Sequence, residues 1–185
     1  NQIPIGQIQG FWETPATMND TWGFKQDDNE WKSVDTLIEL LAELASRGVN
    51  YLLNVGPTDQ GIIPKASVDR MEAIGRWMEV NGEAIYETQP SPFPSSFDWG
   101  NVTVNRNKLY LLIKDYPSNP FVLHGLRSKV IRVYMLSDPK SDFDFKQLYD
   151  DSLDHDVLEI IFPNRIPDQH VPVVVLELDG EPKID

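Results

Sequence analysis

Two short stretches near the N-terminus carry residue types that suit the binding and cleavage of a sugar. Phe11-Trp12-Glu13-Thr14 and Asp20-Thr21-Trp22-Gly23-Phe24 combine aromatic rings with carboxyl groups. Hydrolysis of a glycosidic bond needs a carboxylic acid that protonates the leaving oxygen and a carboxylate opposite it. An aromatic ring supplies an apolar surface for the C–H face of the sugar. Glu13 and Trp22 are therefore candidate site residues; the alternative is an aromatic pair that packs beside an ion-paired glutamate.

Other chemistries have less support in the sequence. The chain contains no cysteine, which excludes disulfides, thiolate catalysis and Cys-ligated zinc. Its 3 histidines, His124, His155 and His170, are isolated in sequence, so we interpret them as satisfied or solvent-facing rather than as a metal cluster or triad. The acidic stretch 150–156 lacks the spacing of a calcium loop and is predicted to be a solvated turn. Neither a metal nor a cofactor is expected.

Composition and charge narrow the class of protein. Hydrophobic residues make up 41% and charged residues 24% of the 185-residue chain, which is typical of a globular protein. The net charge of −13 argues against nucleic acid or an anionic membrane as a partner. No apolar run approaches the roughly 18–20 residues that cross a bilayer. The sequence does not begin with Met and has no visible signal, which leaves periplasm, cell surface and cytoplasm open.

The first half has the pattern of a helix, a strand and a helix. A helix is predicted to begin after Ser33 as N-cap and to end at Gly48. The apolar run 49–55 is predicted to be a strand buried on both faces. A second helix is expected to end at residues 81–82, with four side chains pointing inward: Met71, Ile74, Trp77 and Met78. This order is typical of a parallel α/β layer.

The second half follows a proline- and serine-rich stretch, 89–96, that is predicted to be an exposed linker. Beyond it, short β-branched or aromatic runs alternate with turn residues and indicate an antiparallel β-sandwich; the runs are 102–104, 109–113, 121–123, 130–136, 157–162 and 171–178. The predicted fold class is α+β, with domains at residues 1–88 and 97–185.

Several motifs in order resemble glycoside hydrolase family 29, the retaining α-L-fucosidases. They comprise the two aromatic stretches above, Gly48-Val49-Asn50-Tyr51-Leu52-Leu53-Asn54-Val55-Gly56-Pro57 with Asp59 and Gly61, Ile74-Gly75-Arg76-Trp77, and Asn81-Gly82-Glu83-Ala84-Ile85-Tyr86. The resemblance is close over residues 11–88, and the remainder corresponds to the trailing β-sandwich of the family.

The resemblance implies a (β/α)₈-like barrel with residues 52–54 on one of its last strands, and such barrels keep their sites at the C-terminal strand ends. It implies a nucleophilic Asp in a segment that this chain does not possess, and an acid/base from a variable loop before Asn1. Glu13 is a candidate acid/base, although a supporting carboxylate at the barrel rim is the preferred interpretation.

Trp22 is the residue that the resemblance assigns most directly, because it matches the ring that lines the pocket for the fucose ring and its methyl group. Trp12 is a second candidate for substrate binding. Phe24 departs from the family, in which a Tyr is common there. Asn54 and the turn Gly56-Pro57 are expected to shape the strand end and its loop.

Chain length sets the functional hypothesis. A complete barrel takes about 250 residues, so the chain is predicted to be a C-terminal fragment of an α-L-fucosidase that is inactive alone. Its expected partners are a fucosylated glycan, the missing N-terminal portion and further copies of itself, in a periplasmic or extracellular compartment. The alternative is a structural or glycan-binding module that uses exposed aromatic platforms: Trp99, Tyr110, Tyr116 or Trp12.

Overall fold

The computed structural model describes residues 10–116, 118–163 and 170–185. The elements of its N-terminal half are β1 (Trp12–Thr17), α1 (Val34–Ser46), β2 (Val49–Asn54), α2 (Lys65–Asn81) and a 3-10 turn (Gly82–Ala84). β1 and β2 pair in parallel, so both strands end at the same edge of the sheet. The predicted helix, strand and helix are confirmed. β1 is an addition to them, because a six-residue strand containing Pro15 carries little periodic signal.

The ends of α1 follow the predicted signals. Ser33 caps the helix, since its Oγ accepts a hydrogen bond of 3.1 Å from the backbone N–H of Thr36. Gly48 follows the last turn with φ at +71°, a conformation that favours glycine. A Cβ at this position would also lie 2.7 Å from Cγ of Pro90. Gly48 therefore serves both the helix end and the close approach of the proline-rich stretch.

Only part of the predicted inward face of α2 is buried. Trp77 is buried, and Ile74 and Met78 pack against the same core. Met71 is 45% exposed, so the prediction that it points inward is wrong. No element in the described part of the chain covers that side of α2. Trp77 also donates a hydrogen bond of 2.9 Å from Nε1 to the carbonyl of Val171, which joins α2 to the second half.

The prediction that β2 is buried on both faces is also wrong for this chain. Asn50 is exposed and Leu52 is 43% exposed. Their partners in the register, Glu13 and Pro15, are exposed as well. The other face of β1 carries the buried Ala16. The two-stranded sheet thus has one covered face and one face that nothing among the described residues covers.

The second half is a β-sandwich of two antiparallel sheets. Its strands are β3 (Gly100–Asn105), β4 (Lys108–Ile113), β5 (Phe121–His124), β6 (Val130–Met135), β7 (Asp138–Asp142), β8 (Phe145–Asp150), β9 (His155–Ile160) and β10 (Val173–Leu178). The sheet orders are β3-β4-β10-β6-β7 and β5-β9-β8. All six predicted strands are confirmed. β7 and β8 are additions, and Pro139 lies in the edge strand β7, where its missing N–H is tolerated.

The five-stranded sheet is covered on both faces, which explains its uninterrupted apolar runs. In β4, Leu109 and Leu111 point into the core between the two sheets. The alternate residues Tyr110 and Leu112 pack against α1 and α2. The molecule therefore has three layers: helices, the five-stranded sheet and the three-stranded sheet. The predicted α+β class with an antiparallel sandwich is confirmed.

The proline-rich stretch 89–96 is hydrogen-bonded to both halves. The backbone N–H of Gln89 donates to the carbonyl of Val104 at 2.7 Å, and that of Ser91 donates to the carbonyl of Ser46 at 2.8 Å. Phe93 packs edge-to-face against Phe97 with ring centroids 5.1 Å apart. Proline has no backbone N–H, so the hydrogen bonds that this stretch donates come from its other residues, Gln89 and Ser91. The domain boundary at this stretch stays a prediction.

Candidate functional site

A cleft of about 210 Å³ with mixed polar and apolar lining lies where β1 and β2 end. Thr17 and Asn54, the last residues of the two strands, are partners in the parallel register. The lining comes from the segments after both strands, the long loop that follows β1 and the start of α2: Met18, Asn19, Gly23, Phe24, Lys25, Gln26, Asp28, Asn29, Trp31, Asn54, Gly56, Pro64, Ala66 and Ser67. C-terminal strand ends are where parallel α/β folds place their sites.

The loop between β1 and α1 is organised around the buried carboxylate of Asp28. Asp28 Oδ2 accepts hydrogen bonds from the backbone N–H of Thr21 at 2.9 Å and from its hydroxyl at 2.7 Å. Asp28 Oδ1 accepts from the N–H of Glu30 at 3.2 Å. These donors, the Thr21 hydroxyl first, hold the pKa of Asp28 below its usual value. The carboxylate is therefore built in as an internal anchor of the loop.

Lys32 closes the base of this loop. Its backbone N–H donates to the carbonyl of Met18 at 2.8 Å. Its Nζ donates to the carbonyl of Asn19 at 3.1 Å and to Oγ1 of Thr17 at 3.3 Å. Arg70 of α2 then donates from Nε to the carbonyl of Lys32 at 2.7 Å. The loop is thus tied to β1 at one end and to α2 at the other.

The segment Trp22–Phe24 is held in place by two residues: Asn54, at the end of β2, and Gly56, just after it. The side-chain amide of Asn54 donates a hydrogen bond of 2.6 Å to the carbonyl of Trp22. A Cβ at Gly56 would lie 2.9 Å from the backbone nitrogen of Phe24 and 3.3 Å from the carbonyl oxygen of Trp22. Glycine at position 56 lets the two chain segments approach closely. Asn54 and Gly56 therefore have the expected loop-shaping geometry.

The aromatic rings of this segment are available to solvent. Trp22 is 52% exposed, and Phe24 is exposed and lines the cleft. Trp22 itself does not line the cleft, although the two residues that follow it, Gly23 and Phe24, do. Its assignment as a sugar-binding ring stays a prediction, and its exposure is consistent with that prediction.

Glu13 and Trp12 lie at the opposite end of β1. Glu13 pairs with Asn50 and precedes Thr17 by four residues, which at about 3.3 Å per residue places it roughly 13 Å from the strand end. Neither Glu13 nor Trp12 lines the cleft. The structure of this chain therefore does not bring Glu13 and Trp22 together. Their roles stay predictions.

The aromatic residues proposed as alternative sugar platforms are mostly packed inside the molecule. Tyr110 is buried, so the expectation of an exposed ring is wrong there. Trp99 is partly buried and stacks on Phe97 at a centroid distance of 4.7 Å. Tyr116 is partly buried and packs against Phe162. Of the four, only Trp12 is exposed, at 49%.

The histidines occupy two places outside the lining of the cleft. His170 Nδ1 is 3.0 Å from Oδ1 of Asp35. His124 and His155, far apart in sequence, have ring nitrogens 2.9 Å apart. Within residues 10–116, 118–163 and 170–185, no group of three or more His, Cys, Asp or Glu side chains is arranged to hold a metal.

The fold and the cleft define a class: a parallel α/β segment with a cleft at its strand ends, joined to an antiparallel β-sandwich. Residues 1–83 match the sequence model of the family described as Alpha-L-fucosidase. An α-L-fucosidase of Branchiostoma floridae is 33% identical over 113 residues, which are 58% of this chain and 25% of that protein. The plasma α-L-fucosidase of Rattus norvegicus is 40% identical over 80 residues, or 42% and 17% of the two chains.

The crystal structure of an α-L-fucosidase from Vibrio sp. strain EJY3 superposes with a TM-score of 0.86 at 35% identity, covering 97% of this chain and 32% of that one. The resemblance to glycoside hydrolase family 29 is confirmed: the chain is similar to the C-terminal part of these α-L-fucosidases. It spans about a quarter of the Branchiostoma relative and about a third of the Vibrio protein.

Proposed function

We propose that the chain supplies one wall of the sugar pocket of a retaining α-L-fucosidase. In the complete protein, the barrel hydrolyses terminal α-L-fucose from glycoconjugates, and the Trp22–Phe24 segment contacts the sugar. The observation that carries this proposal is the anchoring of that segment by Asn54 and Gly56 at the strand ends. A ring held on a fixed backbone at the strand ends is preorganised to pack on the apolar face of a deoxysugar.

The chain alone is proposed to be inactive. Retaining hydrolysis needs two carboxyl groups about 5 Å apart, one of them the nucleophile. Glu13 lies at the other end of β1 from the cleft and has Asn50, not a carboxylate, as its strand partner. The cleft holds one carboxylate, Asp28, whose oxygens are already engaged by Thr21 and Glu30.

The sandwich is proposed to stabilise the α/β segment rather than to bind glycans. Its five-stranded sheet shares a core with α1 and α2, through residues such as Tyr110 and Ile38. The hydrogen bond from Trp77 to Val171 joins the same surfaces. A sheet face that is buried against helices cannot also present aromatic platforms to a sugar.

The other partners follow from the uncovered sheet face and from the charge. The exposed face with Glu13, Asn50 and Leu52 suits contact with the N-terminal portion of the barrel, and in its absence self-association. The net charge of −13 disfavours nucleic acid and anionic membranes. Neither helix in the described residues is long and apolar enough to cross a membrane. We propose a periplasmic or extracellular location, as suits an enzyme that acts on glycoconjugates.

The experiment is complementation of an aryl α-L-fucoside assay. The 185-residue chain is assayed alone and after co-expression with the N-terminal two thirds of the Vibrio α-L-fucosidase. We expect turnover only in the complemented sample. Turnover by the pure chain that a Glu13→Gln change abolishes would contradict the proposal, and so would a stable complex without turnover.

A further inference from the structure

A pair of histidines lies on the three-stranded sheet, outside the cleft. His124 is the last residue of β5 and His155 the first of β9, and these strands are antiparallel neighbours. Nδ1 of His124 is 2.9 Å from Nε2 of His155, and the ring planes cross at 86°. His124 is exposed and His155 partly exposed, so both side chains contact solvent.

Acidic residues are neighbours of this pair in the strand register and in sequence. Asp150 is the partner of His155 in the register of β8 and β9. Asp156 follows His155 in the chain, and its backbone N–H donates to Oδ2 of Asp185 at 3.1 Å. Arg127 offsets part of this charge, since its Nε is 3.4 Å from Oδ1 of Asp185. The local excess of negative charge favours a cation near the two imidazoles.

We propose that His124 and His155 bind a divalent transition-metal ion, Cu²⁺ or Ni²⁺, through Nδ1 and Nε2, with water in the remaining positions. With imidazole–metal distances of about 2.05 Å, nitrogens at the observed separation subtend about 90° at the ion. That is the angle between neighbouring ligands in the tetragonal geometry of Cu²⁺ and Ni²⁺. A tetrahedral Zn²⁺ ion would need the nitrogens about 3.3 Å apart.

Neutral imidazoles can adopt the tautomers that metal binding requires. In the metal-free pair, one of the facing nitrogens donates to the other, so one of them carries a hydrogen. Metal binding needs lone pairs on both, which is met when His124 carries its hydrogen on Nε2 and His155 carries its hydrogen on Nδ1. The site has two protein ligands, because the described residues contain no group of three. We therefore expect an exposed, reversible site.

The test uses the 185-residue chain with one equivalent of Cu²⁺, read by electron paramagnetic resonance, and with Ni²⁺, read by calorimetry. We expect one bound ion whose hyperfine pattern reports two nitrogen ligands. His124→Gln and His155→Gln should each remove the two-nitrogen pattern and weaken Ni²⁺ binding at least tenfold. His170→Gln is the matched control, since His170 contacts Asp35 and not the pair.

Two results would overturn the site. One is a wild-type spectrum without two equatorial nitrogens. The other is Ni²⁺ binding that both His→Gln variants retain but Ca²⁺ displaces, which would assign the ion to the carboxylates alone. The spectrum of the wild-type chain decides the question even if a variant folds poorly, because it counts the nitrogen ligands directly.

Discussion

The side-chain amide of Asn54 donates a hydrogen bond of 2.6 Å to the carbonyl oxygen of Trp22. The bond joins the end of β2 to a loop that follows β1, across 32 positions of sequence. It fixes the backbone of the one ring that we assign to the fucose pocket. Asn54 therefore acts on the proposed sugar site through the position of Trp22, without contacting the sugar itself.

Replacing Asn54 by Ala should loosen the Trp22 loop. The loss of one hydrogen bond costs about 0.5–1.5 kcal/mol, and amide hydrogen exchange should accelerate in residues 19–31. Asn50→Ala is the control, because Asn50 is exposed on the same strand and remote from the loop. Equal exchange rates in the two variants would show that the Asn54 amide does not hold the loop.

Two glycine substitutions should change stability in opposite directions. Gly56→Ala places a methyl group 2.9 Å from the backbone nitrogen of Phe24, so the Trp22–Phe24 segment must shift and unfolding becomes easier. Gly75→Ala lies in α2 with nothing within 4 Å of the new Cβ, and should raise the free energy of unfolding by roughly 0.5–1 kcal/mol. Urea denaturation of both variants measures this. A Gly56→Ala variant as stable as wild type would contradict the close packing.

The loop should become sensitive to acid through Asp28. The folded pKa of Asp28 is lowered by the Thr21 hydroxyl, so its stabilising contribution is present above the ordinary carboxyl pKa and is lost as the pH falls through the folded value. The protection of the amides in residues 19–31, that is, their exchange rate compared with the intrinsic rate at the same pH, should therefore decrease at acidic pH in wild type. In Asp28→Asn, protection should already be low at neutral pH and should depend less on pH.

Asp27→Asn is the control for that pH series, because Asp27 is highly exposed and its carboxylate contacts only Lys25 in the described ion pairs. It should keep the wild-type pH profile. If Asp27→Asn and Asp28→Asn have the same profile, the acid sensitivity has another origin.

The stability of the junction between the helices and the sandwich should depend on the hydroxyl of Tyr110. Its hydroxyl donates to Oε1 of Glu83 at 2.7 Å, and Lys108 donates to the same oxygen at 2.8 Å. Tyr110→Phe removes a hydrogen bond to a charged group and should lower the free energy of unfolding by about 1.5–3 kcal/mol. Tyr86→Phe, at an exposed ring, should leave it unchanged. Identical urea midpoints for the two variants would contradict this role.

Most regular elements were predictable from the sequence because their signals are local. Ser33 and Gly48 mark the ends of α1, and the apolar runs mark seven of the ten strands in the described residues. β1, β7 and β8 were not predictable, because they are short, polar or interrupted by proline and exist through pairing with a neighbour. The inward direction of Met71 failed because burial depends on a covering element, which periodicity cannot supply.

The site was predictable only in part. The residue types at positions 13 and 22 indicated a sugar site, but the strand that separates Glu13 from the cleft was not expected. The Asp28 anchor and the His124–His155 pair depend on contacts between residues that no short motif links. Such contacts follow from the tertiary fold and not from local spacing.

The central claim, that Trp22 lines a fucose pocket, is tested most directly by Trp22→Ala in the complemented enzyme. An aromatic contact of this kind is worth roughly 0.5–1.5 kcal/mol beyond area burial. The loss of this contact should therefore lower kcat/KM for an aryl α-L-fucoside by about 2- to 13-fold, and the loss of buried area should lower it further. The urea midpoint should stay near wild type, whereas Trp77→Ala, at a buried ring, should lower it strongly. Unchanged kcat/KM in Trp22→Ala, together with unfolding as severe as in Trp77→Ala, would contradict the account.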